Sequence, residues 1–499
     1  MKKNILFIVI FFFALTLKTI TMLNWHGLTF DEMVSADLAQ KKISDVIYYS
    51  QWETHPPLYY LVLNLWGHIF GQFEASWRAL SLVISLSSLA AFYFLAKELF
   101  GKKAGLIAMF LFSISVFFNF YGLWLRMYGL AILLSILSFY FFIKIVNQKN
   151  KIYLWIIFYL LATVANLHTH LFSLYSVFAQ SLFIISLYLK KSINRQKFIR
   201  LSFVIGAGII CFLPWVFFSF VNKLQSLNPN AWYFFDHADE LLGLYAIITR
   251  LFVLTKNAIV ANLSLTILLM ILFSTFFIIN KEKDGWKIKL DGSNNLLYSL
   301  FIFAVSIFSI AITGMFRLRL FSLPAIGLLL LVAYGLSKIK NIRLLIVSLL
   351  TIFFLTAPGL YLLAKSTSSG WTEIGAFIKN NEKNGDAIVV THPNHLLPLK
   401  FYYHENLPQI IIGDQAPYSE DLTRAILENN IYSGAQIEEK NTLRNITANK
   451  KRIFLVYSGS GFKTDQDNIK NWFIENSWKI YKSYNNESLD NPGVWLLTK

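Results

Sequence analysis

Residues 4–32 read NILFIVIFFFALTLKTITML (4–23) followed by NWHGLTFDE (24–32). The first stretch is apolar and long enough to cross the roughly 30 Å hydrocarbon core of a bilayer. The second ends in two adjacent carboxylates, Asp31 and Glu32. Met1-Lys2-Lys3 ahead of the apolar run would suit a signal peptide, but no small-x-small cleavage site follows, so we interpret the run as an uncleaved anchor. The order predicts a membrane helix followed by an acidic segment on the far side.

The composition of the whole chain agrees with a membrane protein. Of its 499 residues, 56% are hydrophobic, 17% aromatic and only 15% charged. Soluble domains carry about 25% charged residues, so these values exclude a cytosolic globular protein and a disordered one. The single cysteine, Cys211, excludes an intrachain disulfide and a cysteine metal cluster.

Eleven apolar stretches of membrane-spanning length follow one another before residue 364. They lie near 4–23, 79–96, 104–121, 127–146, 152–169, 171–189, 200–221, 258–279, 296–313, 318–337 and 342–363. We therefore predict a polytopic α-helical membrane protein with about 11 transmembrane helices.

The formal charge of +17 is confined to this membrane part. Residues 364–499 hold 15 basic and 15 acidic residues, whereas residues 1–363 hold 30 basic and 13 acidic ones. If the N-terminus is cytoplasmic, 20 of those 30 basic residues fall in inner loops, as the positive-inside rule requires. We therefore expect a multi-pass protein of a bacterial inner or plasma membrane, with an extracytoplasmic C-terminal tail and no nucleic-acid partner.

The segments outside the spans suggest two domains, a membrane domain over 1–363 and a tail domain over 364–499. In the first outer loop, 24–78, we predict a helix over Asp31–Ser50 and an interfacial helix over Leu58–Phe70, after Pro56-Pro57. A second outer segment covers 222–257. The tail reads as a small α/β domain. Its expected strands are Ala387–Val390, Gln409–Ile412, Arg452–Val456 and Gly493–Leu497, and its expected helices are Trp371–Asn381, Ser419–Glu428 and Asp465–Glu475.

Two groups of polar residues in the first outer loop could carry chemistry. Two carboxylates such as Asp31 and Glu32 are energetically costly at a membrane boundary unless they are solvated, form ion pairs or take part in function. They could supply a general base facing an outer cavity, or they could simply start a helix with Asp31 as its cap. His55 is titratable and lies next to the two prolines, which have a structural explanation of their own.

Further candidates lie where the chain re-enters the membrane from the outer side. Arg126 and Arg319 could bind a phosphate or diphosphate through their planar guanidinium groups, or could reach lipid headgroups. His168 and His170 occupy a tight outer turn, where they could bind a sugar or phosphate or merely cap the turn. Two histidines at i and i+2 do not share a helix face, so they favour no zinc site.

Together these motifs resemble the PMT-like branch (glycosyltransferase family 39) of the GT-C glycosyltransferases, which includes protein O-mannosyltransferases and lipid A aminoarabinose transferases. The resemblance covers roughly residues 1–340 and is most specific in the first hundred. It is carried by Asp31-Glu32, Pro56-Pro57-Leu58-Tyr59-Tyr60, Phe70-Gly71, Arg78, Leu99-Phe100-Gly101, Arg126-Met127-Tyr128, Leu167-His168-Thr169-His170, Leu213-Pro214-Trp215 and Arg319 ahead of Leu323-Pro324-Ala325.

The resemblance implies an inverting transferase that takes a sugar from a polyprenyl phosphate on the outer membrane face. By this resemblance Asp31 is the base that deprotonates the acceptor, and Glu32 orients the acceptor or the base. Positive groups, Arg126 and Arg78 first, stabilise the leaving lipid phosphate. The remaining implied substrate-binding residues are His55, Tyr128, His168, His170 and Arg319.

One position departs from the family. Relatives often carry Glu or Asp two residues before the Arg-x-Tyr motif, and here that position is Trp124. No metal ligand is assigned, and a divalent metal stays an open option. The acceptor could be a lipid, a glycan or a protein. The alternative of a lipid or oligosaccharide transporter would place polar groups at the bilayer midplane and often shows inverted repeats, and neither is visible here.

Overall fold

The structure is a computed structural model of the chain. It describes residues 5–51, 55–148, 152–224, 271–272, 275–282, 285–313, 318–365, 369–391, 395–403, 409–411, 443–444, 447–458, 463–485 and 492–499. These residues form two compact units. The first unit comprises 1–22, 54–62 and 78–365, and the second comprises 23–53, 63–77 and 366–499.

The first unit is built from apolar helices. They are α1 (Ile5–Leu23), α5 (Glu74–Phe100), α6 (Lys102–Ile114), α7 (Val116–Leu123), α8 (Tyr128–Asn147), α9 (Ile152–Leu167), α10 (Ser173–Leu189), α11 (Arg195–Leu224), α12 (Asn294–Thr313), α13 (Ser322–Ser337) and α14 (Ile342–Lys365). A short 3-10 helix, Leu318–Phe321, precedes α13. Helices α6 and α7 form one stretch that bends by 66° at Ser115.

Except at the end of the span predicted at 258–279, the predicted spans coincide with helices wherever they fall on described residues. Six described helices, or seven if α6 and α7 form one span, are long and apolar enough to cross a membrane. The predicted spans at 152–169, 171–189 and 296–313 coincide with shorter apolar helices. The polytopic α-helical class is confirmed, whereas the number of eleven spans stays a prediction.

The span predicted at 258–279 falls mostly outside the described residues, and its end is wrong. From Phe277 the chain forms an antiparallel hairpin of β1 (Phe277–Glu282) and β2 (Gly285–Leu290), in register from Phe277 with Leu290 to Glu282 with Gly285. The apolar run stops at Ile279, and the sequence WKIKL of 286–290 alternates with the period of a strand.

The second unit joins the first outer loop to the C-terminal tail. Its helices are α2 (Phe30–Ala39), α3 (Ile43–Ser50), α15 (Trp371–Asn381), α16 (Leu396–Tyr402) and α17 (Lys463–Glu475); α4 (Leu58–Phe70) ends in it. The helix expected over Asp31–Ser50 is in fact two helices separated by residues 40–42. The predicted domains over 1–363 and 364–499 stay a prediction; the compact units group residues 23–53 and 63–77 with the tail through long-range contacts.

The tail carries a five-stranded sheet in the order β4-β3-β5-β7-β6. Its strands are β3 (Ala387–Val390), β4 (Gln409–Ile411), β5 (Arg452–Ser458), β6 (Lys479–Asn485) and β7 (Pro492–Thr498). Strand β3 is parallel to β4 and β5, and β7 is antiparallel to β5 and β6. The predicted α/β tail is confirmed. Strand β6, which is an exposed edge strand, and helix α16 were not predicted from the sequence. The helix predicted over Ser419–Glu428 lies outside the described residues.

Candidate functional site

A cluster of aromatic and histidine side chains forms in the first unit where the chain passes from α7 to α8. The rings of Trp124 and Tyr128 stack with centroids 5.5 Å apart, and Tyr121 lies 5.7 Å from Tyr128. The rings of His55 and His170 lie 6.1 and 5.5 Å from Tyr128 and 4.7 Å from each other. We call these five residues the His/Tyr cluster. The structure thus brings together three predicted binding residues, His55, Tyr128 and His170.

Arg126 lies on the short link between α7 and α8, beside this cluster in sequence. Its N–H donates to the carbonyl of Trp124 at 2.7 Å, which makes the link tight. Gly122, near the end of α7, allows this helix to pack closely against α5, because a Cβ there would lie 2.6 Å from the hydroxyl of Ser85. The side chain of Arg126 is only 5% exposed. A guanidinium held in this way is preorganised to bind an anion.

The turn that carries His170 is set by Asn166 at the end of α9. The Asn166 carbonyl accepts from the N–H groups of Thr169 and His170 and from the Ser173 hydroxyl, each at 3.0 Å. In addition, the Phe172 N–H donates to Nδ1 of His170 at 3.1 Å. This turn fixes the direction of the imidazole.

His170 is surrounded by apolar groups and positive charge. Burial, together with the charges of Arg319 and then Arg126, lowers the pKa of His170 to about 3. Arg319, in the 3-10 helix, is half-buried. These two predicted phosphate ligands therefore act on the same imidazole, and that imidazole is neutral at physiological pH.

Two other predicted residues are placed differently. His168 holds its Nδ1 2.9 Å from the Val164 carbonyl and packs its ring against Phe212, with centroids 5.2 Å apart. Its position is that of a residue that caps the end of α9. Arg78 is 3% exposed near the start of α5.

In the second unit, Asp31 and Glu32 lie in the first turn of α2 and have different surroundings. Glu32 is fully buried, and its Oε2 accepts from the Thr29 N–H at 2.8 Å and the Thr29 hydroxyl at 3.1 Å. This is the arrangement of a capping box with Thr29 as the N-cap. Asp31 is half-buried and is not the cap. The cap interpretation of the acidic pair therefore applies to Glu32.

The segment leading into α2 is held by the C-terminal tail. The Ser369 N–H donates to the His26 carbonyl at 3.1 Å, and the Leu28 N–H donates to the Tyr402 hydroxyl at 2.6 Å. Gly27 sits between these bonds with φ +75°, and a Cβ there would lie 2.6 Å from the Ser369 hydroxyl. Only glycine suits such a conformation and such a close approach.

Helix α16 makes two further hydrogen bonds to residues of the 24–78 region, one to Glu74 and one to Asp37. The Tyr402 hydroxyl donates to Glu74 at 3.1 Å, and the Lys400 ammonium lies 2.7 Å from Asp37 in α2. Asp37 is 3% exposed and also lies 3.4 Å from Lys41. Sequence reasoning missed these residues, because no local pattern pairs positions more than 300 residues apart.

No metal-binding set occurs among the described residues. Within the described ranges, no three His, Cys, Asp or Glu side chains lie close enough together to hold a metal ion. No step of the reaction proposed below is assigned to a metal ion.

Comparisons with known proteins agree with these features. Residues 54–218 match the family model described as dolichyl-phosphate-mannose-protein mannosyltransferase. No curated protein sequence matches the chain significantly.

Solved structures share the fold at low identity. ArnT from Cupriavidus metallidurans, bound to undecaprenyl phosphate, is 12% identical with a TM-score of 0.60, over 99% of this chain and 98% of ArnT. The Archaeoglobus fulgidus oligosaccharyltransferase, in complex with Zn and sulfate, is 14% identical with a TM-score of 0.55, over 89% of this chain and 67% of that one. The archaeal oligosaccharyltransferase AglB from the same organism, in complex with an inhibitory peptide and a dolichol-phosphate, is 13% identical with a TM-score of 0.50. The chain thus shares the fold of these proteins along nearly its whole length, and the family match over residues 54–218 supports the resemblance seen in the sequence.

Proposed function

We propose that this chain, a PMT-like membrane glycosyltransferase of GT-C fold, moves a sugar from a polyprenyl-phosphate donor to a lipid, glycan or protein acceptor. The transfer takes place on the outer face of a bacterial inner or plasma membrane, with the N-terminus in the cytoplasm and the tail outside. The configuration at the anomeric carbon is inverted, because the acceptor displaces the lipid phosphate in one step.

Asp31 is the base in this proposal. The acceptor hydroxyl attacks the anomeric carbon, its proton passes to the Asp31 carboxylate, and the bond from the anomeric carbon to the phosphate oxygen breaks. Half-burial in the first turn of α2 supports this role, since the carboxylate is both ordered by its helix and reachable. Glu32 orients the base indirectly, by closing the N-terminus of the helix that carries it.

Positive side chains stabilise the departing phosphate. The bond that breaks leaves its electron pair on the phosphate oxygen, so negative charge grows there as the sugar departs. Arg126 and Arg319 supply compensating charge near the His/Tyr cluster, and Arg78 is a further candidate. His55, Tyr128 and the exposed part of Trp124 bind the donor by hydrogen bonding and ring contact.

The observation that carries the proposal is the charge around His170. Two arginines act on one buried, neutral imidazole at the ends of apolar helices, which is a site for an anionic headgroup attached to a membrane lipid. A transporter would instead need polar groups at the bilayer midplane, and the match to a transferase family disfavours that alternative.

The test is transfer of labelled sugar. The full chain in lipid nanodiscs is incubated with radiolabelled polyprenyl-phosphate sugars and a membrane extract, and label is followed into lipid, glycan and protein fractions. We expect transfer by the parent and a loss of at least about 100-fold in Asp31→Asn, because the lost proton acceptor contributes about 10²–10⁴-fold.

Two variants make this test specific. Asp45→Asn removes another carboxylate from the first turn of a neighbouring helix, α3, and should transfer like the parent. Glu32→Gln keeps an acceptor for the Thr29 N–H and should retain most activity. Full activity of Asp31→Asn would refute the base assignment, and transfer solely from a soluble nucleotide-sugar would refute the donor class.

A further inference from the structure

His170 presents one specific hydrogen-bond donor to its surroundings. Because the Phe172 N–H donates to Nδ1 at 3.1 Å, Nδ1 keeps its lone pair and the proton of the neutral ring sits on Nε2. The side chain is only 5% exposed. The turn therefore selects the tautomer as well as the direction of the ring.

The Nε2–H group is buried without an acceptor among the residues that the structure describes. Buried donors in proteins nearly always find an acceptor, so an orphaned one at a candidate site indicates a ligand atom. The groups that face it from neighbouring elements are His55, Tyr128, Arg126 and Arg319. Two of these carry positive charge, so the atom that completes the bond is an anionic oxygen.

We propose that the Nε2–H of His170 donates to a phosphate oxygen of the polyprenyl-phosphate donor and stays bonded to it as the lipid phosphate leaves. This inference rests on the proposed function and specifies the phosphate subsite of the same site. His170 thereby stabilises the growing charge without giving up its proton, and the lipid leaves as the unprotonated phosphate. The arginines contribute positive charge, and the imidazole contributes one hydrogen bond of fixed direction.

A pair of substitutions separates binding from folding. In His170→Asn, the amide oxygen can still accept from the Phe172 N–H, but no donor reaches the Nε2 position. In His170→Gln, the longer side chain places an amide donor near the Nε2 position and loses the local acceptor. A purely structural role predicts that Asn is the better replacement, whereas our proposal predicts that Gln is.

The experiment measures binding of tritiated undecaprenyl phosphate to the full chain in nanodiscs, together with thermal stability. We expect His170→Gln to bind within about 3-fold of the parent, and His170→Asn to bind at least about 10-fold more weakly, as befits the loss of a hydrogen bond to a charged group. His68→Asn, which alters an exposed histidine of α4, is the control and should bind like the parent. If Asn binds as well as Gln, or better, the proposal is wrong.

Two further arms identify the ligand and separate this inference from the proposed function. Unlabelled undecaprenyl phosphate should displace the probe, and phosphatidylglycerol should not; equal displacement by both would overturn the assignment to the donor. Between about pH 5.5 and 8 the probe phosphate itself titrates, with a second pKa of about 6, so affinity should change by the same factor in the parent and in His170→Gln. An additional step near the ordinary histidine pKa of about 6.5 that is present in the parent and absent in His170→Gln would contradict a neutral donor. If His170→Gln binds more tightly than His170→Asn but no sugar transfer occurs, the proposed function is refuted and the phosphate contact of His170 is kept.

Discussion

Tyr402→Phe should loosen the loop that leads into α2. The Tyr402 hydroxyl accepts from the Leu28 N–H at 2.6 Å and donates to Glu74 at 3.1 Å. Leu28 is 1% exposed, so its N–H would lose its acceptor in a buried place. Such an unsatisfied group costs about 1–3 kcal/mol. Since about 1.4 kcal/mol is a factor of ten, local opening of this loop should become about 5- to 150-fold more frequent.

Hydrogen exchange followed by mass spectrometry measures this opening directly. The full chain in nanodiscs is labelled, and peptides that cover residues 24–33 are compared between the parent and the variant. We expect these peptides to exchange faster, while β5 peptides from 452–458 exchange at the parental rate. Sugar transfer should fall together with the protection of the loop, because the loop carries Asp31.

The control is Tyr481→Phe, which removes a hydroxyl from a tyrosine of the same unit that is 64% exposed. It should change neither exchange nor transfer. Unchanged exchange over 24–33 in Tyr402→Phe would refute the claim that this hydroxyl holds the loop. Faster exchange of the whole sheet to the same extent would show a global effect in place of the local one.

Two further outcomes follow from buried polar contacts of the first unit. Lys18 is fully buried in α1 and donates to Asn119 at 2.9 Å, so Lys18→Met should destabilise the chain by about 1–3 kcal/mol. In a double-mutant cycle measured by thermal unfolding, Asn119→Leu should destabilise the chain less in the Lys18→Met background than in the parent. Strictly additive effects of the two substitutions would contradict the coupling. Burial raises the pKa of Asp291, but hydrogen bonds from Tyr334 and Lys338 outweigh it and hold this pKa below its ordinary 3.8. The stability that Asp291 contributes should therefore be present above pH 3.8 and be lost as the pH falls through the lowered pKa of the folded state. Thermal stability measured against pH for the parent and for Asp291→Asn checks this. Parallel curves for the two proteins would refute it.

Local patterns in the sequence determined the elements whose cause is itself local. The apolar run of 4–23 coincides with α1, and the segment after Pro56-Pro57 forms α4 over Leu58–Phe70, as predicted. The amphipathic stretch Trp371–Asn381 forms α15 with the predicted bounds. Hydrophobic periodicity and prolines act over a few residues, so these helices could be found without any knowledge of their neighbours.

The candidate site could be predicted as a set of residues but not as an arrangement. His55, Tyr128 and His170 come from three separate segments, and their meeting depends on how the helices of the first unit pack. The difference between His168 and His170 was likewise not predictable, since both lie in one turn and only their ring packing and hydrogen bonds in the folded chain separate their roles.

Composition and local patterns were enough to predict a polytopic membrane protein with an acidic loop after the first span, an α/β tail and motifs that resemble those of sugar transferases. Tertiary structure alone decided that the tail holds the loop, through the bonds of Ser369, Lys400 and Tyr402. It also decided that Glu32 caps a helix while Asp31 stays reachable, and that His170 carries its proton on Nε2. These outcomes depend on single hydrogen bonds, some between residues more than 300 positions apart in the sequence. Local sequence patterns cannot predict which of such distant residues come into contact.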